Sequence, residues 1–346
     1  MAFVRNTWYC AGWSKDFSRQ PITRTLLGEP LMLWRNEAGE AVILSNRCSH
    51  RFAPLHKGCV QGDTAACPYH GLKFDSRGQC VHNPHGDGHI PKAAHLRSYP
   101  VAERAGVVWV WMGEAEKADA QQILPEAHTG FLQAVEQFSV ATGHLEVSGN
   151  NLLVMDNLLD LTHAPYVHPK TVGGAPEDSV EAGMQVGIEE DDRSITSTYF
   201  CPSMKPTPQL RPLFREEQGD FRVRMRWQPA SSLAMRLSMT PCGQADGSGV
   251  VLPLLHLLTP IDEHRTHYFF ALGRNVALGV PEADAEMAEF ARRAFEEEDE
   301  PMISACQAQM GTSDLFSLRP VLLQTDVANV KARRRVEALI VQEAGR

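Results

Sequence analysis

Cys48-Ser49-His50 and Cys67-Pro68-Tyr69-His70 are separated by sixteen residues, and their reading decides what kind of chain this is. Each motif offers one thiol and one imidazole from a tight loop, as Cys-X-His in the first and Cys-X-X-His in the second. Two such pairs suit a [2Fe–2S] cluster held unevenly, with Cys48 and Cys67 on one iron and His50 and His70 on the other. Imidazole in place of two thiolates raises the potential above that of an all-cysteine cluster. The alternative is a zinc site of two Cys and two His. A short zinc finger places Cys-X-X-Cys before its two His, whereas here each Cys is paired with a His. Pro54 and Pro68 are expected to stiffen the loops, and Gly58 and Gly71 to let the backbone pass close to the cluster. His56, His82, His85, His89 and His95 read as surface or loop residues, not ligands.

A second stretch runs from Asn150 through Asp156, Asn157, Asp160 and His163 to Pro165. Its apolar spacing is helical, and Pro165 is expected to end or bend the helix. Asp156, Asp160 and His163 lie four and three apart, on one side of a helix, and His168 follows where the chain can turn back. Two His and one carboxylate are the donor set of a mononuclear non-haem iron with open positions for dioxygen. The carboxylate is open among Asp156, Asp160 and a distant residue, and the same residues also suit a plain helix cap. An upstream one-electron carrier needs an acceptor, which favours the iron reading. The acidic run Glu296–Glu300 offers a distant ligand. Asp299 follows Phe295 by four and precedes Met302 and Ile303 by three and four, while Glu298 follows the same apolar face, so spacing leaves the two undecided. Glu296, Glu297 and Glu300 read as a solvated face.

The 346 residues are 43% hydrophobic and 22% charged, enough for two globular domains with sizeable cores. The net charge of -9, with no basic tail, argues against nucleic acid. No apolar run is long enough for a membrane span, and no signal peptide opens the chain. Of the eight cysteines, Cys48 and Cys67 alone sit in a ligand-like frame, and Cys10, Cys59, Cys80, Cys201, Cys242 and Cys306 read as free thiols in a reducing cytoplasm. Residues 1–115 read as an all-β domain: an opening strand over 3–9, paired strands Leu31–Trp34 and Ala41–Leu44, a hairpin around Lys73–Gln79, and a buried strand Val107–Trp111. Gly113–Ala127 reads as linker or surface. Residues 116–346 read as an α+β domain, with strands at 131–147, 184–188, 194–201, 221–227, 231–239, 250–259 and 266–272. Helices at 282–310 and 326–343 complete it, the first facing inward through Met287, Phe290, Ala291, Ala294 and Phe295, the second exposing Lys331–Arg335.

Taken together, Cys48-Ser-His50-Arg51, Cys67-Pro-Tyr-His70-Gly71 and Asp160-Leu-Thr-His163 with His168 resemble the motifs of the oxygenase component of Rieske-type non-haem iron oxygenases. The likeness runs from Phe3 to at least residue 310. Within that family the chain is similar to the monooxygenases that remove O-methyl groups from aromatic acids. The resemblance implies a Rieske domain followed by a helix-grip-like catalytic domain, with His163, His168 and Asp299 as iron ligands. It implies a head-to-tail homotrimer in which Asp160 bridges His70 of one chain and His163 of the next, with Asn157 near the iron. Asp156 is left without a role. His256, Met235 and Phe290 fall at the substrate pocket. Read alone, His256 in an apolar strand is equally a satisfied core residue. Met235 stands where a demethylase of this group has Asn, and Phe290 where it has Trp.

The implied activity uses dioxygen and electrons from a ferredoxin or an NAD(P)H-dependent reductase to monooxygenate an aromatic carboxylic acid. A methoxy target gives a hemiacetal that loses formaldehyde. No flavin or nicotinamide fingerprint is present, so partner proteins carry that chemistry, and Arg51 and Lys57 are candidates for docking an acidic ferredoxin. The alternatives are ring dihydroxylation or alkyl hydroxylation by the same two metal centres, and, in another class, a Rieske electron carrier without oxygenase activity.

Overall fold

The computed structural model describes residues 3–174, 177 and 183–345, which divide into two compact units. One is Arg5–Ile123 with Thr259–Asp262, and the other is built on Leu124–Leu258 and the residues from Glu263 onward. The reading of 169–180 as loop falls partly outside the described residues.

The first unit is all-β. Its strands are β1 (Trp8–Trp13), β2 (Ile22–Leu26), β3 (Glu29–Arg35), β4 (Ala41–Ser45), β5 (Cys59–Gln61), β6 (Thr64–Ala66), β7 (Lys73–Phe74), β8 (Cys80–His82), β9 (Val101–Arg104) and β10 (Val107–Trp111). They form three small antiparallel sheets, ordered β1-β10-β9, β2-β3-β4 and β5-β6-β7-β8. The opening strand begins at Trp8, later than the apolar run at Phe3 suggests, because its partner β10 starts the register at Trp8↔Trp111. β1 and β10 are buried along their whole length, and Trp34, Trp109 and Trp111 are among the largest fully enclosed side chains. Full burial of an aliphatic side chain such as Val108 or Val110 of β10 stabilises by about 1.5–3 kcal/mol. The 113–127 segment is not a free linker: it makes short helical turns, and Ile123 and Leu124 are buried.

The second unit is α+β. Its strands are β11 (Ser139–Val147), β12 (Gln185–Glu190), β13 (Ile195–Met204), β14 (Gly219–Gln228), β15 (Ser232–Thr240), β16 (Val250–Pro260) and β17 (Thr266–Arg274). Among the described residues these make one antiparallel sheet ordered β11-β17-β16-β15-β14-β13-β12. The 131–147 reading is corrected: only Ser139–Val147 is strand, and Glu126–Leu132 forms helical turns that bury Phe131. Period-two alternation sends Val223, Met225 and Trp227 of β14 to one face and Arg222, Arg224 and Arg226 to the other. The register Met225↔Met235↔Leu254 and Trp227↔Leu233↔His256 carries that apolar face across β15 and β16.

Three helical stretches bear on the site. Asn150 caps the first by accepting from Leu152 N, and that helix runs Asn151–Leu159. It ends before Pro165, contrary to expectation. The Asp160 carboxylate accepts from Thr162 N and Thr162 Oγ1, and this local bonding competes with the helix. Pro165 instead sits in the first turn of the short helix Ala164–Val167, where its missing N–H costs nothing. The 282–310 stretch is helical throughout, but Ala294–Asp299 widens into a π turn between Pro281–Arg293 and Glu300–Met310. Pro301 has no N–H to give the carbonyl four residues back, and the chain widens just before it.

The terminal helix Val327–Ala344 leaves Lys331 and Arg334 exposed as expected but corrects that reading for Ala332 and Arg333. Arg333 is buried, and its Nε lies 2.7 Å from Asp156 Oδ2. Asn329 adds a bond to the Asp156 carbonyl at 2.8 Å. Asp156, unassigned by the sequence, therefore ties the Asn151–Leu159 helix to the chain's last helix. Removing one partner of a shielded ion pair leaves the other charge unpaired. R333M is expected to destabilise the protein by about 3–5 kcal/mol, with much of that loss recovered in D156N/R333M. Thermal melting of the two variants checks this.

Candidate metal centres and the adjoining cavity

Cys48 and Cys67 are buried on the core cluster formed by Met32, Trp34, Leu44, Leu55, Phe74 and others. Burial pushes the Cys48 thiol up to about 11, and the Cys67 thiol beside it adds to the effect. His50 and His70 stand to the solvent side with ring centroids 4.5 Å apart. The two loops share one hydrogen-bond design despite different Cys–His spacing. Cys48 N donates to Ala53 O and Cys67 N to Leu72 O, while Phe52 N donates to Cys48 O and Gly71 N to Cys67 O. Each loop turns at the residue four after its cysteine, Phe52 at φ 58° and Gly71 at φ 74°. Phe52 accepts that strained geometry while 73% exposed. Two adjacent thiols facing two adjacent imidazoles fit a cluster with sulfur on one iron and nitrogen on the other.

The expected role of Gly58 is corrected. A Cβ there would lie 2.0 Å from Ala66 O, so Gly58 is required by the approach of its own sheet's backbone. Among the other histidines, His56 Nδ1 accepts from Asn46 Nδ2 at 2.7 Å, and His85 Nε2 lies 2.9 Å from His70 O.

In the second unit, donor atoms of His163, His168 and Asp299 all lie within 4.8 Å of one another. The break after Leu159 presents His163, the short helix ends at His168, and the π turn delivers Asp299. Neither Asp156 nor Asp160 joins this group. Asp160 contributes its backbone oxygen, which accepts from His163 Nδ1 at 2.5 Å. His168 Nδ1 lies 2.6 Å from Glu298 Oε2, and Thr171 Oγ1 donates to the same oxygen. A carbonyl and a carboxylate can only accept, so both Nδ1 atoms carry hydrogen. Both Nε2 atoms then face Asp299 Oδ1, at 3.4 Å from His163 and 2.9 Å from His168. Asn157 Nδ2 donates to that oxygen at 2.8 Å. Two Nε2 atoms converging on a carboxylate oxygen call for positive charge between them, a proton on the rings or a metal in its place, and this donor set fits a divalent metal.

Burial would raise the Asp299 pKa, but hydrogen bonding and charge from His163 and His168 overcome it and bring it to about 2. For His168, burial lowers the pKa, and Asp299 and Glu298 more than restore it, leaving it raised. Glu298 thus takes a place the sequence left open: consecutive residues of the π turn flank His168 on its two ring nitrogens.

An apolar cavity of about 170 Å³ adjoins this group. It is lined by all three donor residues, by Asn157, and by Met235, Phe290 and His256. His256 Nδ1 lies 2.7 Å from Tyr268 OH, and its Nε2 is buried with no protein partner. Burial lowers the His256 pKa to about 4, against a weak opposing pull from Asp299, so the ring is neutral near pH 7. It is neither a fully satisfied core residue nor a cation. Tyr268 went unremarked in the sequence; only strand alternation on β17 could have placed it.

Residues 147–342 match the family described as the vanillate O-demethylase oxygenase C-terminal domain, and residues 7–100 match the Rieske [2Fe-2S] domain. The chain is 34% identical to the dicamba O-demethylase oxygenase component of Stenotrophomonas maltophilia, over 99% of this chain and 100% of the relative. It is 36% identical to the chloroacetanilide N-alkylformylase oxygenase component of Rhizorhabdus wittichii, over 99% and 97%. The crystal structure of dicamba monooxygenase with non-haem iron and dicamba superposes with a TM-score of 0.85 at 31% identity, covering 100% of this chain and 99% of that one.

Glu298→Gln keeps the shape but removes the charge behind His168. Metal affinity is expected to fall about 10–100-fold. Protons compete with metal for His168, whose raised pKa starts that competition above the ordinary imidazole range. In E298Q the acid loss of binding moves to lower pH. Co(II) titration across pH measures both effects.

Proposed function

The chain belongs to the oxygenase components of the Rieske non-haem iron oxygenases, and on that premise we propose that it is a terminal monooxygenase that O-demethylates an aromatic acid with release of formaldehyde. One observation carries the reading: His163 Nε2, His168 Nε2 and Asp299 Oδ1 converge on the wall of an apolar cavity that contains one buried, unpartnered nitrogen, His256 Nε2. When bound, the cluster supplies single electrons and the mononuclear iron supplies dioxygen activation. Cys48, His50, Cys67 and His70 hold the cluster, and His163, His168 and Asp299 hold the iron.

The remaining residues orient and exclude. The Asp160 carbonyl and the Glu298 carboxylate keep hydrogen on the Nδ1 atoms, so each Nε2 stays available to metal. Asn157 steadies Asp299 Oδ1. Met235 and Phe290 give the cavity an apolar wall that excludes water from the ring. Tyr268, its phenol kept neutral by burial, holds His256 through Nδ1 and leaves Nε2 to meet a polar atom of the substrate. Residues 1–115 serve as the electron-carrying part and 116–346 as the catalytic part. Electrons come from a ferredoxin or an NAD(P)H-dependent reductase, for which Arg51 and Lys57 are docking candidates. In a cytoplasmic homotrimer, Asp160 links His70 of one copy to His163 of the next. No described helix is long and apolar enough to cross a membrane.

A second reading, oxidation of an alkyl carbon on a neutral aromatic amide, is favoured by Met235 in place of a polar donor and by the N-dealkylating relative. Anaerobic reduction followed by dioxygen, with a panel of methoxylated aromatic acids, separates the readings. Stoichiometric formaldehyde from an acid supports O-demethylation. Product from amides alone supports the second reading, and ring diols overturn both.

Wild-type protein is expected to hold about three irons per chain, two in the cluster and one beyond it. H163A is expected to lose that third iron and all product while keeping the visible cluster spectrum; metal quantitation beside the spectrum checks this. H256F removes the hydrogen-bonding nitrogen of the cavity and is expected to raise KM about 5–100-fold with a smaller change in kcat. Steady-state kinetics on the identified substrate decide the point.

A further inference from the structure

His85 belongs to the run Gly78–Gly86, which none of the ligand assignments uses. In the fold it closes a third loop against one side of the cluster cradle. The loop braces itself: Asn83 Oδ1 accepts from His85 N at 3.1 Å, Asn83 Nδ2 donates to His89 O at 2.7 Å, and Asp87 Oδ1 accepts from His89 N at 2.9 Å. Two elements of this braced loop reach the second ligand motif. Pro84 packs on Gly71, where an added Cβ would sit 3.1 Å from Pro84 Cγ. His85 Nε2 lies 2.9 Å from the backbone oxygen of His70, with the two ring centroids 6.1 Å apart. A carbonyl only accepts, so His85 donates through Nε2–H. Gly71 at φ 74° gives His70 a flexible follower, and the contacts from Pro84 and His85 restrain that turn from outside.

We infer that His85 is a positioning residue for the cluster, which sets the orientation of the His70 imidazole and, with it, the cluster's reduction potential. The clamp acts on the Cys67–His70 loop, whereas the Cys48–His50 loop turns through the exposed Phe52. A donor aimed at the ligand's own backbone favours the reduced, more negative cluster, as hydrogen bonds around such centres do. His85 is not one of the four ligand residues. The inference rests on the Rieske reading of the four ligands and is independent of the substrate oxidised by the second unit.

The test uses cluster-loaded full-length protein as wild type, H85A and H85Q. The readouts are the midpoint potential, the nitrogen hyperfine couplings of the reduced cluster, and the rate at which visible absorbance is lost to an iron chelator. H85A is expected to lower the potential, to change the coupling of one of the two ligand nitrogens, and to lose the cluster about two- to tenfold faster. H85Q, whose amide can donate to the same carbonyl, is expected to return all three toward wild type. Unchanged potential and couplings in H85A overturn the inference. So does a loaded H85Q that matches H85A, since bulk rather than the hydrogen bond would then be responsible. If H85A does not load, H85Q decides alone: wild-type potential supports the assignment and a shifted one overturns it. All readouts are taken without substrate or dioxygen, so a failed oxygenase reading would leave them unchanged.

Discussion

The second unit depends on where two hydrogens sit. His163 and His168 each give the Nδ1 hydrogen to an oxygen that can only accept, the Asp160 carbonyl and the Glu298 carboxylate. With those positions taken, both Nε2 lone pairs turn toward Asp299 Oδ1. Neutral imidazole is the ligand form, and a carboxylate behind it raises its basicity toward a metal. The local structure follows from this requirement. Asp160 leaves the helix so that its carbonyl can reach a side chain three residues on. The π turn places Glu298 and Asp299 on opposite nitrogens of one ring, which regular helical spacing cannot do for consecutive residues.

The first unit solves a related problem differently. Cys48 and Cys67 are buried in the core, while His50 is exposed and His70 half-buried, so the cradle presents its imidazoles outward. Two loops of unequal spacing reach the same geometry because each closes the same pair of backbone hydrogen bonds around its cysteine. The cost is one residue at positive φ in each loop. Gly71 meets it freely, and Phe52 bears it. An outward imidazole pair suits a centre that must exchange electrons with another protein.

The cavity is apolar because the inward residues of five adjacent strands, β13 to β17, are mostly apolar, with His256 and the Tyr199 and Tyr268 hydroxyls set among them. Burial keeps the His256 ring neutral, so what it offers the cavity is a hydrogen-bonding nitrogen and not a charge. Among the described lining residues there is no Lys or Arg, so the cavity wall itself carries no fixed positive charge. Asp156 shows how far the surroundings of the site extend. Its bond to Arg333 makes the terminal helix part of the support for the helix that leads to the ligands.

Much of this was legible in the sequence because metal ligation demands particular residue types at short spacings. The gathering of Cys48, His50, Cys67 and His70, the two histidines five residues apart, the β then α+β order and most strands of the large sheet follow from motif and alternation alone. Spacing alone did not decide between Glu298 and Asp299, because the π turn shifts the helical phase there, and it was the family resemblance that implied Asp299. The sequence also misplaced the helix end, since the Asp160 side chain, and not Pro165, stops the helix. It left Asp156 idle and Arg333 on the surface, because their pairing spans the fold. Spacing determines which donors can share a loop. Which oxygen stands behind a ring nitrogen, and which charge meets its partner inside, is decided by packing between residues more than a hundred positions apart, where only the tertiary structure brings the atoms within hydrogen-bonding reach.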